Sequence, residues 1–192
     1  MVSIGVLALQ GDFAEHIGML QRLGVDAREV RLPSELCKVD GLIIPGGEST
    51  TIAKLLDRYE ITSPLTEQVR QGMPIWGTCA GMIMLAKELE DDRPEPLGLL
   101  DIQVARNAFG RQVDSFEVYL EIPALGDGAF HAVFIRAPVV TKVGLGVSVL
   151  ARLQDDTVVA VQQDGLLATA FHPELSEDTR FHEYFSELVS KA

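Results

Sequence analysis

The chain has 192 residues, 28 acidic against 16 basic side chains, a formal net charge of −12 and two cysteines. That length suits one domain, 1–192, with a sizeable core. The acidic balance argues against a nucleic-acid partner, whose phosphates it would repel, and two cysteines make no disulfide framework. Hydrophobic residues make up 47% and charged residues 23%, ordinary globular usage, and the lack of a long charge-free apolar run argues against a membrane span.

Val2-Ser3-Ile4-Gly5-Val6 carries no basic region and reads as the start of a strand rather than a signal peptide. Ser3 to Leu9 is a continuous apolar run, as expected of a strand buried on both faces. A helix follows with Phe13, Ile17 and Leu20 on one face, ending near Gly24. Ala27 to Arg31 and Gly41 to Ile44 are short strands. The second runs into Pro45-Gly46-Gly47-Glu48-Ser49, with Ser49 suited to cap the next helix. Adjacent glycines let backbone N–H groups face a site without a Cβ in the way, where they can hold an oxyanion. The alternative is an ordinary strand-to-helix turn.

Thr50 to Asp57 and Thr62 to Gln71 read as helices, and Pro74 to Trp76 as a strand. It leads into Gly77-Thr78-Cys79-Ala80-Gly81 and then an apolar helical stretch, Met82 to Ala86. Strand, tight turn, helix is the geometry of a nucleophile elbow, and the start of a helix favours thiolate. Against this stands an inert buried cysteine.

The second half changes character. Asp91 to Leu99 reads as an exposed loop, and Glu88 to Asp92 as a solvated helix end. Five strand-like runs then follow without helices: Ile102 to Ala105, Phe116 to Ile122, Val133 to Ile135, Val147 to Leu153 and Val158 to Gln162. They are expected to extend the sheet antiparallel, with a hairpin turn at Asp155-Asp156. Leu166 to Phe171 reads as a buried strand ending at His172-Pro173-Glu174, and Phe181, Tyr184, Phe185 and Leu188 mark a last helix. Glu174 stands close enough to fix the His172 tautomer, leaving the other ring nitrogen to a thiol. The alternation predicts a three-layer α/β fold around a parallel sheet, with Gly46-Gly47, Cys79 and His172 all at strand carboxyl ends, where such sheets bind ligands. His16 and His182 read as solvated or half-packed, His131 as without an obvious partner, and Cys37 as an incidental loop cysteine.

Pro-Gly-Gly-Glu-Ser (45–49), Gly-Thr-Cys-Ala-Gly (77–81) and His-Pro-Glu (172–174) together resemble the class I (triad) glutamine amidotransferases. With Leu9-Gln10-Gly11-Asp12-Phe13, Arg106-Asn107-Ala108-Phe109-Gly110-Arg111-Gln112 and Leu175, they are similar, in the same order, to the glutaminase subunits of pyridoxal 5′-phosphate synthase. The resemblance implies a flavodoxin-like, mostly parallel sheet with an antiparallel extension. It implies hydrolysis of L-glutamine to glutamate and ammonia by Cys79, His172 and Glu174, with an oxyanion hole at Gly47 and Ala80 and with neither metal nor cofactor. Gly46, Gly47, Glu48, Ser49, Arg106, Ile135 and Arg136 are implied in binding glutamine. A guanidinium at 106 suits the substrate carboxylate; Arg136 acts through its backbone or its side chain, and for either arginine a surface ion pair is the alternative. Gln10 is implied in contact with a (β/α)-barrel synthase subunit, in a large cytoplasmic hetero-oligomer. That partner takes the ammonia together with ribose 5-phosphate or ribulose 5-phosphate and glyceraldehyde 3-phosphate. A synthase of another pathway, or a non-catalytic module on the same fold, are the rival readings.

Overall fold

A computed structural model describes residues 2–106 and 115–192. In chain order it holds β1 (Ser3–Leu7), α1 (Phe13–Arg22), β2 (Asp26–Val30), α2 (Pro33–Leu36), β3 (Gly41–Ile44), α3 (Ser49–Arg58), α4 (Thr62–Arg70), β4 (Ile75–Thr78), α5 (Ala80–Leu85) and β5 (Ala86–Leu89). These are followed by β6 (Leu100–Ala105), β7 (Ser115–Leu120), β8 (Phe130–Ile135), β9 (Val139–Val143), β10 (Ser148–Arg152), β11 (Val158–Gln163), β12 (Leu166–Thr169) and α6 (Arg180–Lys191).

Strands β2-β1-β3-β4-β12 lie side by side and all parallel. This is the flavodoxin-like order, with strand order reversing between β1 and β3. The sheet continues as β11-β9-β6-β5, with β10 also on β11; every pairing from β12 to β6 is antiparallel. The mostly parallel sheet with an antiparallel extension is therefore present. β1, β3 and β4 are buried at every residue, as expected of strands covered on both faces. Trp76 and Thr78 point to the face carrying His16 of α1 and Phe181, His182 and Phe185 of α6. Gly77, one residue over, meets Gly81 of α5 on the other face. Helices thus cover both sides, and no helix among the described residues is long and apolar enough to cross a membrane.

Three expectations need correction. The helix after the elbow ends at Leu85, and Ala86–Leu89 is a strand paired parallel to β6. Helix propensity over these few residues gives way to ladder bonding, while Leu97, Gly98 and Leu99 donate to the freed carbonyls of Met84, Ala86 and Leu85. Val139–Val143 is a further strand, unmarked because only Val140 along it is buried. The strands at 115–120 and 130–135 do not join the main sheet but form their own antiparallel ribbon. That ribbon docks by side chains: Phe130 and Phe134, both buried, pack on Phe171 at ring-centroid distances of 5.9 and 5.3 Å. The turn at Asp155-Asp156 is as expected, with Asp156 at φ 65° and the Thr157 N–H bonded to the Asp155 carboxylate.

Candidate active site

Cys79 is the hinge residue between β4 and α5. Its backbone sits at φ 48°, ψ −102°, a conformation that costs an L-residue about 1–3 kcal/mol and lasts only where the surroundings hold it. They do: the Cys79 N–H donates to the Thr169 carbonyl at 2.8 Å, and its carbonyl accepts from Ile83 N–H at 3.3 Å. Small neighbours are required for contact. A Cβ on Gly77 would stand 2.4 Å from the Gly81 backbone, and one on Gly81 would stand 2.1 Å from the Ile44 carbonyl oxygen. The turn is packed directly onto β3. With six residues, α5 is too short for its dipole to add much at the thiol.

β12 runs parallel to β4 with Thr169 opposite Thr78, so the chain leaving it arrives beside Cys79. His172 Nδ1–H donates to Glu174 Oε1 at 2.7 Å, and the ring also hydrogen-bonds the Cys79 side chain. Since Nδ1 is taken, Nε2 faces the sulfur. Cys79, His172 and Glu174 are 7%, 4% and 5% exposed. Burial alone would lower the His172 pKa, but the hydrogen bonds and charges of Cys79 and Glu174 outweigh it and push it up to about 10. At neutral pH the imidazolium is therefore the resting form. Burial also raises Glu174, against the pull of His172; with two partners favouring the charged ring, the shared proton stays on the imidazole. Among the described residues, Asp12, His172 and Glu174 also form a possible metal-ligand group, with donor atoms within 4.8 Å of one another. Here the Nδ1–H bond to Glu174 already accounts for that closeness.

A cleft of about 400 Å³ opens over the sulfur. Its walls include Gln10, Gly47, Glu48, Ser49, Cys79, Ala80, Arg106, Ile135, Arg136 and His172, so most of the residues singled out in the sequence meet in one place. Glu174 lies behind His172. Gly46 is not on the wall either: it stands against the back of the imidazole, where a Cβ would fall 2.3 Å from His172 Cε1. Gln10 Oε1 accepts from the Glu48 N–H at 2.8 Å, and only a glycine at 47 leaves it room, since a Cβ there would be 2.5 Å away.

Glu48, not Ser49, caps α3. Its carboxylate accepts from Thr50 N–H, Thr51 N–H and the Thr51 hydroxyl at 3.0, 2.7 and 2.7 Å, a charge-assisted cap at the positive helix end. The Thr51 hydroxyl bond leads in lowering its pKa to about 2. Ser49 is the first helical residue and is buried. Arg106 lines the cleft while its guanidinium donates to the Arg93 carbonyl at 2.7 Å and pairs with Asp91 at 3.4 Å. The Ile135 carbonyl lies 3.8 Å from Cys79 Sγ, and Arg136 turns the chain at φ 43° with its side chain exposed. The 130–135 strand brings both there, tied by the His172 N–H bond to the Val133 carbonyl at 2.8 Å. Asn107 to Gln112 of the motif that begins at Arg106 lie outside the described residues.

Sequence reasoning missed four groups. Asp12 Oδ2 approaches His172 Nδ1 at 3.5 Å. His16 and His182 are fully buried rather than solvated. His16 stands three residues after Phe13 and four before Leu20, inside the apolar stripe of α1, and that spacing was the available signal. His131 has a partner, Glu117 across the ribbon at 2.7 Å. Cys37 is exposed and free, as expected.

A flavodoxin-like sheet with this cysteine elbow and a His–Glu pair on the neighbouring strand end defines a glutamine amidotransferase class of protein. The chain belongs to the SNO glutamine amidotransferase family, whose model matches residues 6–191. It is 60% identical to the pyridoxal 5′-phosphate synthase subunit PdxT of Herpetosiphon aurantiacus, over 97% of this chain and 100% of that one. It is 55% identical to the PdxT of Carboxydothermus hydrogenoformans, over 99% of each. A crystal structure of a glutamine amidotransferase superposes with a TM-score of 0.91 at 54% identity, covering 97% of this chain and 98% of that one. The structure of PurLQS from Thermotoga maritima shares the fold, with a TM-score of 0.71 at 15% identity over 96% of this chain and 97% of that one.

Proposed function

We propose that residues 1–192 form a single cytoplasmic glutaminase domain that hydrolyses L-glutamine and hands the ammonia to a synthase subunit making pyridoxal 5′-phosphate. The observation that carries the chemistry is the buried run Cys79–His172–Glu174 at the floor of a cleft lined by Gly47, Ala80 and Arg106. The PdxT names of relatives at 55–60% identity support the destination of the ammonia.

The Cys79 sulfur attacks the side-chain amide carbon of glutamine. The carbonyl oxygen takes up negative charge and is held by the Gly47 and Ala80 N–H groups. As the C–N bond breaks, His172 Nε2 gives its proton to the leaving nitrogen, which departs as ammonia and leaves a γ-glutamyl thioester. Neutral His172 then takes a proton from water. The hydroxide displaces the sulfur as thiolate, glutamate leaves, and the imidazolium is restored. Glu174 keeps the ring in register throughout. Arg106 takes the substrate α-carboxylate, exchanging its bond to the Arg93 carbonyl for a charge-assisted one. The Gly47–Ser49 segment and the Ile135–Arg136 backbone hold the rest of the amino acid. Gln10, already bonded to the Glu48 N–H, is placed to transmit synthase docking to the Gly47 loop.

Ammonia released into water at neutral pH is mostly protonated and lost as a nucleophile, so a shielded transfer to the barrel-shaped partner is the expected arrangement. The test measures glutamine hydrolysis with and without that synthase subunit, for the native chain and for Cys79→Ala. Activity that rises with the partner and vanishes in Cys79→Ala is expected. Hydrolysis surviving in Cys79→Ala would sink the nucleophile assignment, and equal rates with and without the partner would sink the coupling.

A further inference from the structure

Glu174 uses one of its two oxygens on His172. The other, Oε2, is buried with no well-formed hydrogen bond among the described residues, and His16 Nε2 stands 3.3 Å from it. The same His16 nitrogen stands 3.2 Å from the Thr78 hydroxyl, and its other nitrogen, Nδ1, stands 2.9 Å from His182 Nε2. Trp76 stands edge-to-face with both imidazoles, with centroids 5.5 and 4.9 Å away. Five side chains, from α1, α6, β4 and the 173–175 turn, therefore meet behind the site.

The protons in this group can be assigned. Burial, then the charges of His182 and His172, keep His16 well below the usual histidine range, and burial pushes His182 down to about 3. Both rings are neutral, so each carries one N–H. A lone pair on His16 Nε2 would face the lone pairs of a buried carboxylate oxygen, so the hydrogen belongs on Nε2, shared between Glu174 Oε2 and the Thr78 hydroxyl. His16 Nδ1 is then an acceptor and requires the hydrogen of His182 Nε2. This leaves His182 Nδ1 as a bare lone pair, and that atom is buried with no partner among the described residues. A stranded lone pair is the more tolerable orphan, since unpaired buried N–H groups are the rarer kind.

We propose that His16, oriented by His182, is a positioning residue: its Nε2–H holds Glu174 Oε2 and so sets the rotation of the carboxylate whose other oxygen aligns His172. The polar contacts run one way, from His182 to His16 at 2.9 Å and from His16 to Glu174 at 3.3 Å, with His172 donating to the other oxygen of the same carboxylate. This rests on the triad reading given above. Without His16 the carboxylate would keep one fixed oxygen and be free to swing about it, and His172 would lose its alignment with the sulfur.

Two measurements decide it. Long-range ¹H–¹⁵N correlation spectra of the whole chain should find His16 and His182 neutral and protonated at Nε2 from pH 5 to 9. An Nδ1–H tautomer at His16, or titration of either ring in that range, would overturn the proposal whatever the variants do. In glutaminase assays with the synthase subunit present, His16→Leu should lower kcat about 10- to 100-fold with little change in KM, and should shift the pH limb of kcat. His16→Gln, whose amide can donate in place of Nε2–H, should recover much of the loss. A purely structural role would lower Tm in both variants and leave the pH limb in place. Native kcat and pH profile in His16→Leu, with Cys79→Ala inactive, would refute this inference alone; a hydrolytically active Cys79→Ala would instead remove the triad reading beneath it.

Discussion

Gly46 and His172 are in van der Waals contact across the end of β4: a Cβ on Gly46 would stand 2.3 Å from His172 Cε1 and 2.9 Å from its Nδ1. The glycine works as a spacer that lets the ring reach Cys79. Gly46→Ala is therefore expected to push the imidazole out of line. A displacement near 1 Å costs on the order of 100-fold in rate, so kcat should fall by about that factor while the fold survives. Near-native kcat in a well-folded Gly46→Ala would show that the ring has room to spare.

Gly81 packs on a different and less forgiving neighbour, the carbonyl of Ile44 in β3, which is backbone in the centre of a parallel sheet. Gly81→Ala must move α5 away from that strand. Overpacking of this kind costs about 1–3 kcal/mol, or a Tm lower by roughly 2–12 °C for a chain of this size. Thermal unfolding of the variant beside the native chain checks it. An unchanged Tm would mean that α5 shifts freely.

His172 gives a pH signature. Its folded pKa, about 10, lies above the ordinary value of 6.5, so the interactions that hold the imidazolium stabilise fully below about pH 6.5. That contribution is lost as pH rises towards 10. Cys79→Ala removes the hydrogen bond and charge of the sulfur, so the ring should titrate at lower pH; the decline, which starts near pH 6.5 in both forms, should end at lower pH and be smaller. Imidazole NMR titration of both forms, with denaturant midpoints across the same range, makes the comparison. Identical His172 titration in the two would mean that Cys79 does not hold the ring.

Most of the parallel half of the sheet was legible because β1, β3, β4 and β12 are short, mainly apolar runs followed by a glycine, a proline or a polar break; β2, three of whose five residues are charged, is the exception. The elbow was legible for the same local reason. What the sequence concealed was settled by distant contacts. Ala86–Leu89 follows an apolar helical stretch and becomes a strand because β6 offers it a ladder. Phe130 and Phe134 alternate as any sheet strand would, and nothing local says that their neighbours are Phe171 and Phe181 rather than another strand. Ser49 has the better cap residue type, yet Glu48 reaches two N–H groups and a hydroxyl from the extended position before the helix. His16 and His182 looked polar and hence exposed. Each is buried because the other, with Thr78 and Trp76, supplies a partner.

The bond from the Cys79 N–H to the Thr169 carbonyl ties the nucleophile to the strand that delivers His172 three residues later. The gap between sulfur and imidazole is thus set by one rung of a sheet, β4 against β12, and not by the long stretch of chain that joins them. Within that stretch Arg106 and the 130–136 segment must stay in place, but insertions in its exposed turns, such as 144–147 or 154–157, leave the rung intact. The spacing at which this architecture tolerates change is therefore topological rather than sequential, a practical guide to where a tag, a probe or a second domain can be spliced in.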